Sequence, residues 1–130
     1  GYAYASPHRV RAAYQWSVEV SAYVHEEARG RGVGRKLYAA LFEALRRLGY
    51  VNAYAGVTLP NDASERFHAA CGFEPVGIYR RVGYKAGAWH DVAWSQLRLQ
   101  EPADPPAAPR LLSNAQVRAE VEALLRARDD

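Results

Sequence analysis

A glycine-rich turn between two predicted elements carries the first chemical signal in the sequence. The segment is Arg29-Gly30-Arg31-Gly32-Val33-Gly34, and an amphipathic helix is predicted from about residue 34 to 48. A helix N-terminus binds anions because its free backbone N–H groups and the positive end of its dipole face the ligand. The segment therefore predicts a site for a pyrophosphate, with charge added by Arg31, Arg35 or Lys36. An arginine-rich surface turn, in which the glycines only allow a bend, stays open as the alternative.

Two titratable side chains, Glu19 and His68, stand where they could exchange protons with a ligand. Glu19 lies on the polar face of the alternating segment 17–24, where a carboxylate could accept a proton. A histidine suits proton donation or acceptance at neutral pH. The alternatives are a solvated strand glutamate and a half-buried histidine bonded to backbone. His68 shares one stripe of a predicted helix with Asn61, Ser64 and Cys71.

Hydrophobic periodicity predicts the elements that position these residues. Residues 1–5 form a strand that ends at Ser6-Pro7, residues 8–15 form a loop, and the alternating segment 17–24 forms a second strand. The helix after the glycine turn ends at Gly49. The predicted buried stripe of this helix consists of Val33, Leu37, Leu41, Leu45 and Leu48.

The next part of the chain predicts a strand, a short helix and a hairpin. Residues 51–59 form a buried strand, and Asn61 or Asp62 caps a helix that runs to Cys71. Residues 73–82 and 88–99 form two strands of an antiparallel hairpin. The order of strands and helices is typical of an α/β domain.

The composition changes after residue 100. Four prolines between residues 101 and 110 predict a semi-rigid linker over residues 101–112. Ser113 and Gln116 have the spacing of a capping box, which predicts a peripheral or partner-contacting helix within residues 113–130.

Composition excludes several classes of function. The single Cys71 predicts no internal disulfide, which agrees with a reducing compartment, and the four scattered histidines beside one cysteine predict no metal site. The sequence does not open with a basic and then apolar signal segment, so the expected location is the cytoplasm. No apolar run is long enough to span a membrane. The net charge of +3 is modest and the basic residues form no continuous block, so a nucleic-acid partner is not expected. The glycine spacing fits neither the P-loop nor the Rossmann pattern.

Two motifs resemble those of the GNAT N-acetyltransferase superfamily. Arg29-x-x-Gly32-x-Gly34 resembles its acetyl-coenzyme A motif, and Asn61-x-x-Ser64-x-x-Phe67-His68-x-x-x-Gly72-Phe73 resembles its second cofactor element. A closer resemblance is to the phosphinothricin and methionine sulfoximine acetyltransferases. It rests on four stretches: Gly1-Tyr2-Ala3-Tyr4, Glu19-Val20-Ser21-Ala22-Tyr23-Val24, Leu59-Pro60-Asn61-Asp62 and Gly83-Tyr84-Lys85-x-Gly87-x-Trp89-His90-Asp91.

The resemblance implies acetyl-coenzyme A as the cosubstrate, with its pantetheine arm in a gap where the strand before the glycine turn separates from its neighbour. Asn61 would hold this arm further along, although helix capping is the alternative and both roles can coexist. The implied cofactor-binding residues are Ala22, Tyr23, Val24, Arg29, Gly30, Arg31, Gly32, Val33, Gly34, Arg35 and Asn61.

The resemblance also implies a direct transfer in a ternary complex. Glu19 would deprotonate the amine, a backbone N–H near Tyr23–Val24 would stabilise the oxyanion, and His68 would help the thiolate leave. Cys71 is expected to pack in the core rather than carry the acetyl group. The residues implied to bind the substrate are Arg9, Val10, Arg11, Glu19, Val20 and Ser21, while Trp89, His90 and Asp91 close the pocket, form a dimer contact or fill the hairpin core.

The expected fold is the GNAT fold, a mixed and mostly antiparallel sheet flanked by helices. Residues 1–100 would form a partial GNAT domain, because two strands and two helices that the family places before Gly1 are absent from this sequence. The predicted activity is acetylation of a small amino-acid-like amine of the phosphinothricin or methionine sulfoximine and sulfone type, by a homodimer. A protein or peptide N-terminal acetyltransferase and a non-catalytic acyl-coenzyme A-binding module are the alternatives.

Overall fold

Seven regular elements and one short 3₁₀-helix build the part of the chain that the computed structural model describes, residues 2–7, 12–23 and 32–110. The two α-helices are α1 (Val33–Leu48) and α2 (Asp62–Ala70), and the 3₁₀-helix is Ala12–Tyr14. The five strands are β1 (Tyr2–Pro7), β2 (Ser17–Tyr23), β3 (Asn52–Thr58), β4 (Glu74–Lys85) and β5 (Ala88–Arg98).

The sheet is mixed and mostly antiparallel, as predicted. Its strand order is β1-β2-β3-β5-β4, and only the β2–β3 pair is parallel. The β2–β3 pairing joins Ser17–Glu19 to Asn52–Tyr54 and then ends, although both strands continue beyond it. This sheet therefore opens between its second and third strands.

The hydrophobic core lies between the sheet and α1. Leu45 and Leu48 of the predicted stripe are buried, but Leu37 and Leu41 are only half-buried. Tyr38 and Phe42 are buried instead, at 1% and 5% exposure, so the predicted stripe is correct at Leu45 and Leu48 and displaced by one residue at positions 37 and 41. The aromatic rings at these two positions fill the space next to Phe73, with ring centroids 6.1 Å and 5.8 Å from it.

The helix α2 shares this core face of the sheet. Its Phe67 packs against the core, and the centroid of its ring lies 5.4 Å from that of Tyr38 in α1. Of the two predicted caps, Asn61 rather than Asp62 is the N-cap of α2, and its side-chain oxygen accepts a hydrogen bond of 3.1 Å from the backbone N–H of Ser64. The predicted stop of α1 is also correct, because Gly49 ends it with φ 99°.

Three strand predictions need correction. The strand β1 runs through Ser6 and Pro7, because it is an edge strand, where a proline at the end removes no essential ladder bond. The strand β3 is buried on one face only, with alternate residues open to solvent. The first hairpin strand continues past the predicted end at Val82 to Lys85, whereas the second begins at Ala88 as predicted. The intervening residues Ala86 and Gly87 have φ 53° and 78°, which is typical of a two-residue type I′ turn.

The proline-rich segment after β5 is packed against the domain. The indole N–H of Trp16 donates to the carbonyl oxygen of Ala107 at 2.8 Å. The backbone N–H of Arg110 donates to the carbonyl oxygen of Leu48 at 2.9 Å. The prediction of a helix within residues 113–130 falls outside the described residues. Across the described ranges, neither α1 nor α2 has the length and apolar character that a membrane span requires.

Candidate active site

The opening between β2 and β3 is the geometric centre of the candidate site. Glu19 is the last residue of β2 in register with β3, opposite Tyr54. The following residues of β2, up to Tyr23, pair only with β1 in the sheet. An extended ligand can bind between two separated strands through their backbone N–H and C=O groups. The resemblance places a pantetheine arm in a gap of this kind.

A cleft of about 240 Å³ lies on the face of the sheet that carries Glu19. Three of the predicted substrate-binding residues, Glu19, Val20 and Ser21, border this cleft together. The other lining residues come from β1, β3 and β5 and are Ser6, Gly56, Val92 and Trp94. The cleft therefore brings a carboxylate next to a large aromatic ring, a combination that suits a small ligand with an amine and an apolar part.

Sequence reasoning missed Gly56 and Trp94, which determine the shape of this cleft. The two residues are directly opposite each other on β3 and β5. A Cβ atom placed on Gly56 would lie 3.0 Å from the indole ring of Trp94, closer than ordinary van der Waals contact. Only glycine leaves room for this ring position. A glycine inside a strand was the signal in the sequence, because such a residue often marks a close approach of another group.

The glycine turn leads into α1 as an anion site would require. Gly32 is the N-cap residue with φ 74°, a conformation that favours glycine, and it offers no side-chain cap to the first turn of the helix. That first turn carries no acidic residue. Arg35 is exposed one turn into the helix, and its Nη2 donates to the carbonyl of Ala70 at 3.5 Å. The N–H groups at this end can therefore serve an anion.

Several predicted site residues lie outside the described part of the chain. Of the others, Ala22 and Tyr23 are in β2, where they pair with Ala3 and Tyr2 of β1, and Val33 is the first residue of α1. Gly34 is buried in the first turn of α1. The predicted residues outside the described ranges are Arg9, Val10, Arg11, Val24, Arg29, Gly30 and Arg31.

His68 lies at the junction of α1 and α2, with a protein group beside each ring nitrogen. Its Nδ1 lies 2.8 Å from the carbonyl oxygen of Ser64, and its Nε2 lies 2.9 Å from the hydroxyl oxygen of Tyr38. The ring is half-buried between aromatic neighbours, with Phe67 and Phe73 at centroid distances of 5.3 Å and 5.2 Å. Burial lowers the pKa of His68, and the hydrogen bond to Ser64 partly opposes this change.

A second cavity, of about 150 Å³, connects His68 with the sheet. Its lining includes Glu65 and His68 of α2 and Trp94 of β5. Trp94 therefore borders both this cavity and the Glu19 cleft. Among the described residues, no group of three or more His, Cys, Asp and Glu side chains is arranged to hold a metal ion.

Cys71 is the C-cap residue of α2 and packs half-buried against the core. Burial raises the pKa of the Cys71 thiol, and the positive charge of Arg35 only partly opposes this rise. A thiol that stays protonated is a poor nucleophile. This geometry suits packing rather than covalent transfer.

The hairpin residues Trp89, His90 and Asp91 have different surroundings. Asp91 accepts a hydrogen bond of 2.7 Å from the backbone N–H of Arg81 at an irregularity in β4, and His90 lies within 3.1 Å of the carbonyl oxygens of Leu59 and Lys85. These contacts hold the hairpin shape. Trp89 is 54% exposed and available for contact with another molecule.

Comparison with known proteins gives one consistent family. Residues 1–94 match the acetyltransferase (GNAT) domain family. The chain is 53% identical over 94 residues to the phosphinothricin N-acetyltransferase of Streptomyces coelicolor, covering 72% of this chain and 55% of that protein. It is 39% identical over 107 residues to the L-methionine sulfoximine/L-methionine sulfone acetyltransferase of Salmonella typhimurium, covering 82% of this chain and 63% of that protein.

A solved structure gives the same result. The crystal structure of a GNAT superfamily phosphinothricin acetyltransferase from Sinorhizobium meliloti, in complex with acetyl-CoA, superposes with a TM-score of 0.73 at 37% identity. The match covers 83% of this chain and 57% of that one. The chain thus spans little more than half the length of several proteins that it matches.

Proposed function

This chain belongs to the GNAT acetyltransferase family, and from that membership we propose that it acts in an acetyl-CoA-dependent N-acetyltransferase. The proposed acceptor is the amino group of a small amino-acid-like molecule of the phosphinothricin or methionine sulfoximine and sulfone type. The relatives named above support this substrate class. The observation that carries the proposal is the opening between β2 and β3, with Glu19 at the point where the two strands separate.

The proposed cosubstrate site follows this opening from the sheet to the helices. Acetyl-CoA supplies the activated acetyl group, and the backbone of Ala22, Tyr23 and Val24 binds its pantetheine arm. The turn from Arg29 to Arg35 binds the pyrophosphate through N–H groups and positive charge. The exposed α1 N-cap at Gly32 supports this assignment, because among the described residues no side chain caps the helix and its first turn contains no acidic residue.

The proposed chemistry begins with Glu19. An acceptor amine is protonated at neutral pH, so Glu19 first removes one proton, directly or through water, and the free amine can then attack the thioester carbonyl. A backbone N–H of the Tyr23–Val24 segment stabilises the oxyanion, and His68 assists departure of the thiolate. The cleft supports the role of Glu19, because its neighbours there are Ser21 and the Trp94 ring, which can hold the rest of a small substrate.

The proposal also includes a cytoplasmic homodimer. The edge strand β4 and the start of β5 expose large apolar side chains, with 53% of Val82, 64% of Tyr84 and 54% of Trp89 open to solvent. A second copy would cover this surface. A reducing compartment agrees with the single Cys71. The molar mass measured by sedimentation equilibrium tests whether the protein is a dimer.

A thiol-release assay tests the activity. The purified protein is mixed with acetyl-CoA and phosphinothricin, methionine sulfoximine, methionine sulfone, ordinary amino acids or a peptide. We expect turnover with the first three, and Glu19→Gln should lower kcat/KM by about 10²–10⁴-fold. The matched control Glu74→Gln removes an exposed carboxylate on β4 and should retain full activity. Full activity in Glu19→Gln would refute the assigned base, and exclusive use of the peptide would favour the peptide N-terminal alternative.

A further inference from the structure

Tyr38 makes a contact with His68 that no sequence motif predicts. Tyr38 is 1% exposed, in the first half of α1, and its hydroxyl oxygen lies 2.9 Å from Nε2 of His68 on α2. On the other side of the ring, Nδ1 lies 2.8 Å from the carbonyl oxygen of Ser64. The two contacts together constrain where the hydrogen of the imidazole ring is placed.

The Ser64 carbonyl can only accept a hydrogen bond, so Nδ1 must carry the hydrogen. A neutral ring then has a lone pair on Nε2, and the Tyr38 hydroxyl donates to it. Protonation of Nε2 would require the hydroxyl to turn and accept a bond from Nε2–H, because a hydroxyl can donate or accept. Burial of the ring lowers the pKa of His68 and so favours the neutral form, in which the Tyr38 hydroxyl is the donor.

We propose that Tyr38 is a positioning residue that, with the carbonyl of Ser64, holds His68 as the neutral Nδ1–H tautomer in which the site works. The kinetic part of this inference rests on the proposed function. His68 therefore enters the reaction without a proton on Nε2. To assist the thiolate, Nε2 must first take up the second proton of the attacking amine, the one that Glu19 does not remove, and the Tyr38 hydroxyl then accepts from Nε2 instead of donating to it.

Within the described part of the chain, two charged side chains are close to His68 or to its helix. On α2, Glu65 borders the same cavity as His68. On α1, Arg35 reaches the carbonyl of Ala70 near the end of α2. The neighbouring rings, Phe67 and Phe73, carry no charge. Burial is accordingly the largest cause of the lowered His68 pKa, and the charges of Glu65 and Arg35 are not among its causes.

Nitrogen NMR of the imidazole rings tests the tautomer without reference to activity. In the wild-type protein near pH 7.5 we expect His68 to show a protonated Nδ1 and a bare Nε2, with its signals identified by their loss in His68→Gln. Tyr38→Phe removes only the hydroxyl and should shift the Nε2 signal of His68, because Nε2 loses the hydrogen bond that it accepts. Tyr50→Phe, a matched control at the far end of α1, should leave this signal unchanged. A wild-type His68 that is charged, or that carries its hydrogen on Nε2, would overturn the inference.

The pH profile of kcat/KM tests the functional part. With a neutral working form, activity falls as the pH drops through the pKa of His68, and a change in this pKa that NMR finds in Tyr38→Phe should move the acidic limb by the same amount. We expect kcat to fall about 5-fold with the KM for acetyl-CoA unchanged. An acidic limb that stays fixed while the NMR pKa moves would overturn the role of Tyr38. If the wild-type protein acetylates no amine, the proposed function fails, and NMR still decides the tautomer.

Discussion

Asn61 allows a cofactor contact to be separated from a structural one. Its side-chain oxygen caps α2 by accepting a hydrogen bond from the N–H of Ser64 at 3.1 Å. The same side chain has an amide N–H₂ group that can donate to a carbonyl of acetyl-CoA. Asn61→Ala removes both groups, whereas Asn61→Ser keeps an oxygen able to cap the helix and removes only the amide donor.

The two variants have different expected magnitudes. Loss of the cap in Asn61→Ala should lower the free energy of unfolding by about 1 kcal/mol, which corresponds to a fall of roughly 4 °C in the melting temperature for a chain of this size. Serine caps helices about as well as asparagine, so Asn61→Ser should melt close to the wild type. Loss of one hydrogen bond to the cofactor costs about 1 kcal/mol, so both variants should raise the KM for acetyl-CoA about 5-fold.

Thermal melts without ligand and initial rates at varied acetyl-CoA concentration give the two quantities. The KM for the acceptor is the internal control and should not change in either variant. If Asn61→Ser keeps the wild-type KM for acetyl-CoA while Asn61→Ala loses only stability, Asn61 is a helix cap alone and its cofactor role is wrong.

Three further predictions concern the cleft, the hairpin and the effect of pH. Gly56→Ala forces the Trp94 ring to move, because the new Cβ would lie 3.0 Å from it. The free energy of unfolding, measured by denaturation, should fall by about 1–3 kcal/mol, and the KM for the acceptor should rise. An equal loss of stability in a Trp94→Leu background would contradict this cause. Ala86→Asn places a residue that tolerates positive φ in the hairpin turn and should raise the free energy of unfolding by about 0.5–1 kcal/mol. An unchanged denaturant midpoint would show that the turn is not strained. The lowered pKa of His68 means that the unfolded chain binds more protons below the ordinary value of 6.5, so the free energy of unfolding should decrease as the pH falls through 6.5. His68→Gln should flatten this part of the stability curve, and an unaltered slope would assign the pH effect to other groups.

Local chemistry allowed much of the secondary structure to be predicted from the sequence. Gly49 ends α1 because few other residues adopt its φ of 99°. Asn61 caps α2 because its short side chain reaches the N–H of Ser64, three residues away. The alternation of residues 17–23 placed Val18 and Val20 in the core, at 4% and 5% exposure. Each of these features depends on neighbours in the chain, so residue type and spacing are enough.

The resemblance of the motifs also led to the fold. The glycine turn and the Asn61 segment were the basis for the GNAT fold, and the family match and the solved relative confirm it. The amphipathic pattern of α1 was less reliable, because two adjacent stripes of the helix are apolar. Packing of Tyr38 and Phe42 against Phe73 selected one of the two stripes.

The sequence by itself determined the local elements, their order and the residue types that suit acetyl transfer. Tertiary structure decided where β2 and β3 separate, which ring borders the Glu19 cleft and what contacts His68. Tyr38 and His68 are 30 residues apart, and Gly56 and Trp94 meet only through the register of β3 with β5. Such contacts depend on how whole elements pack and align, and no local spacing rule contains that information.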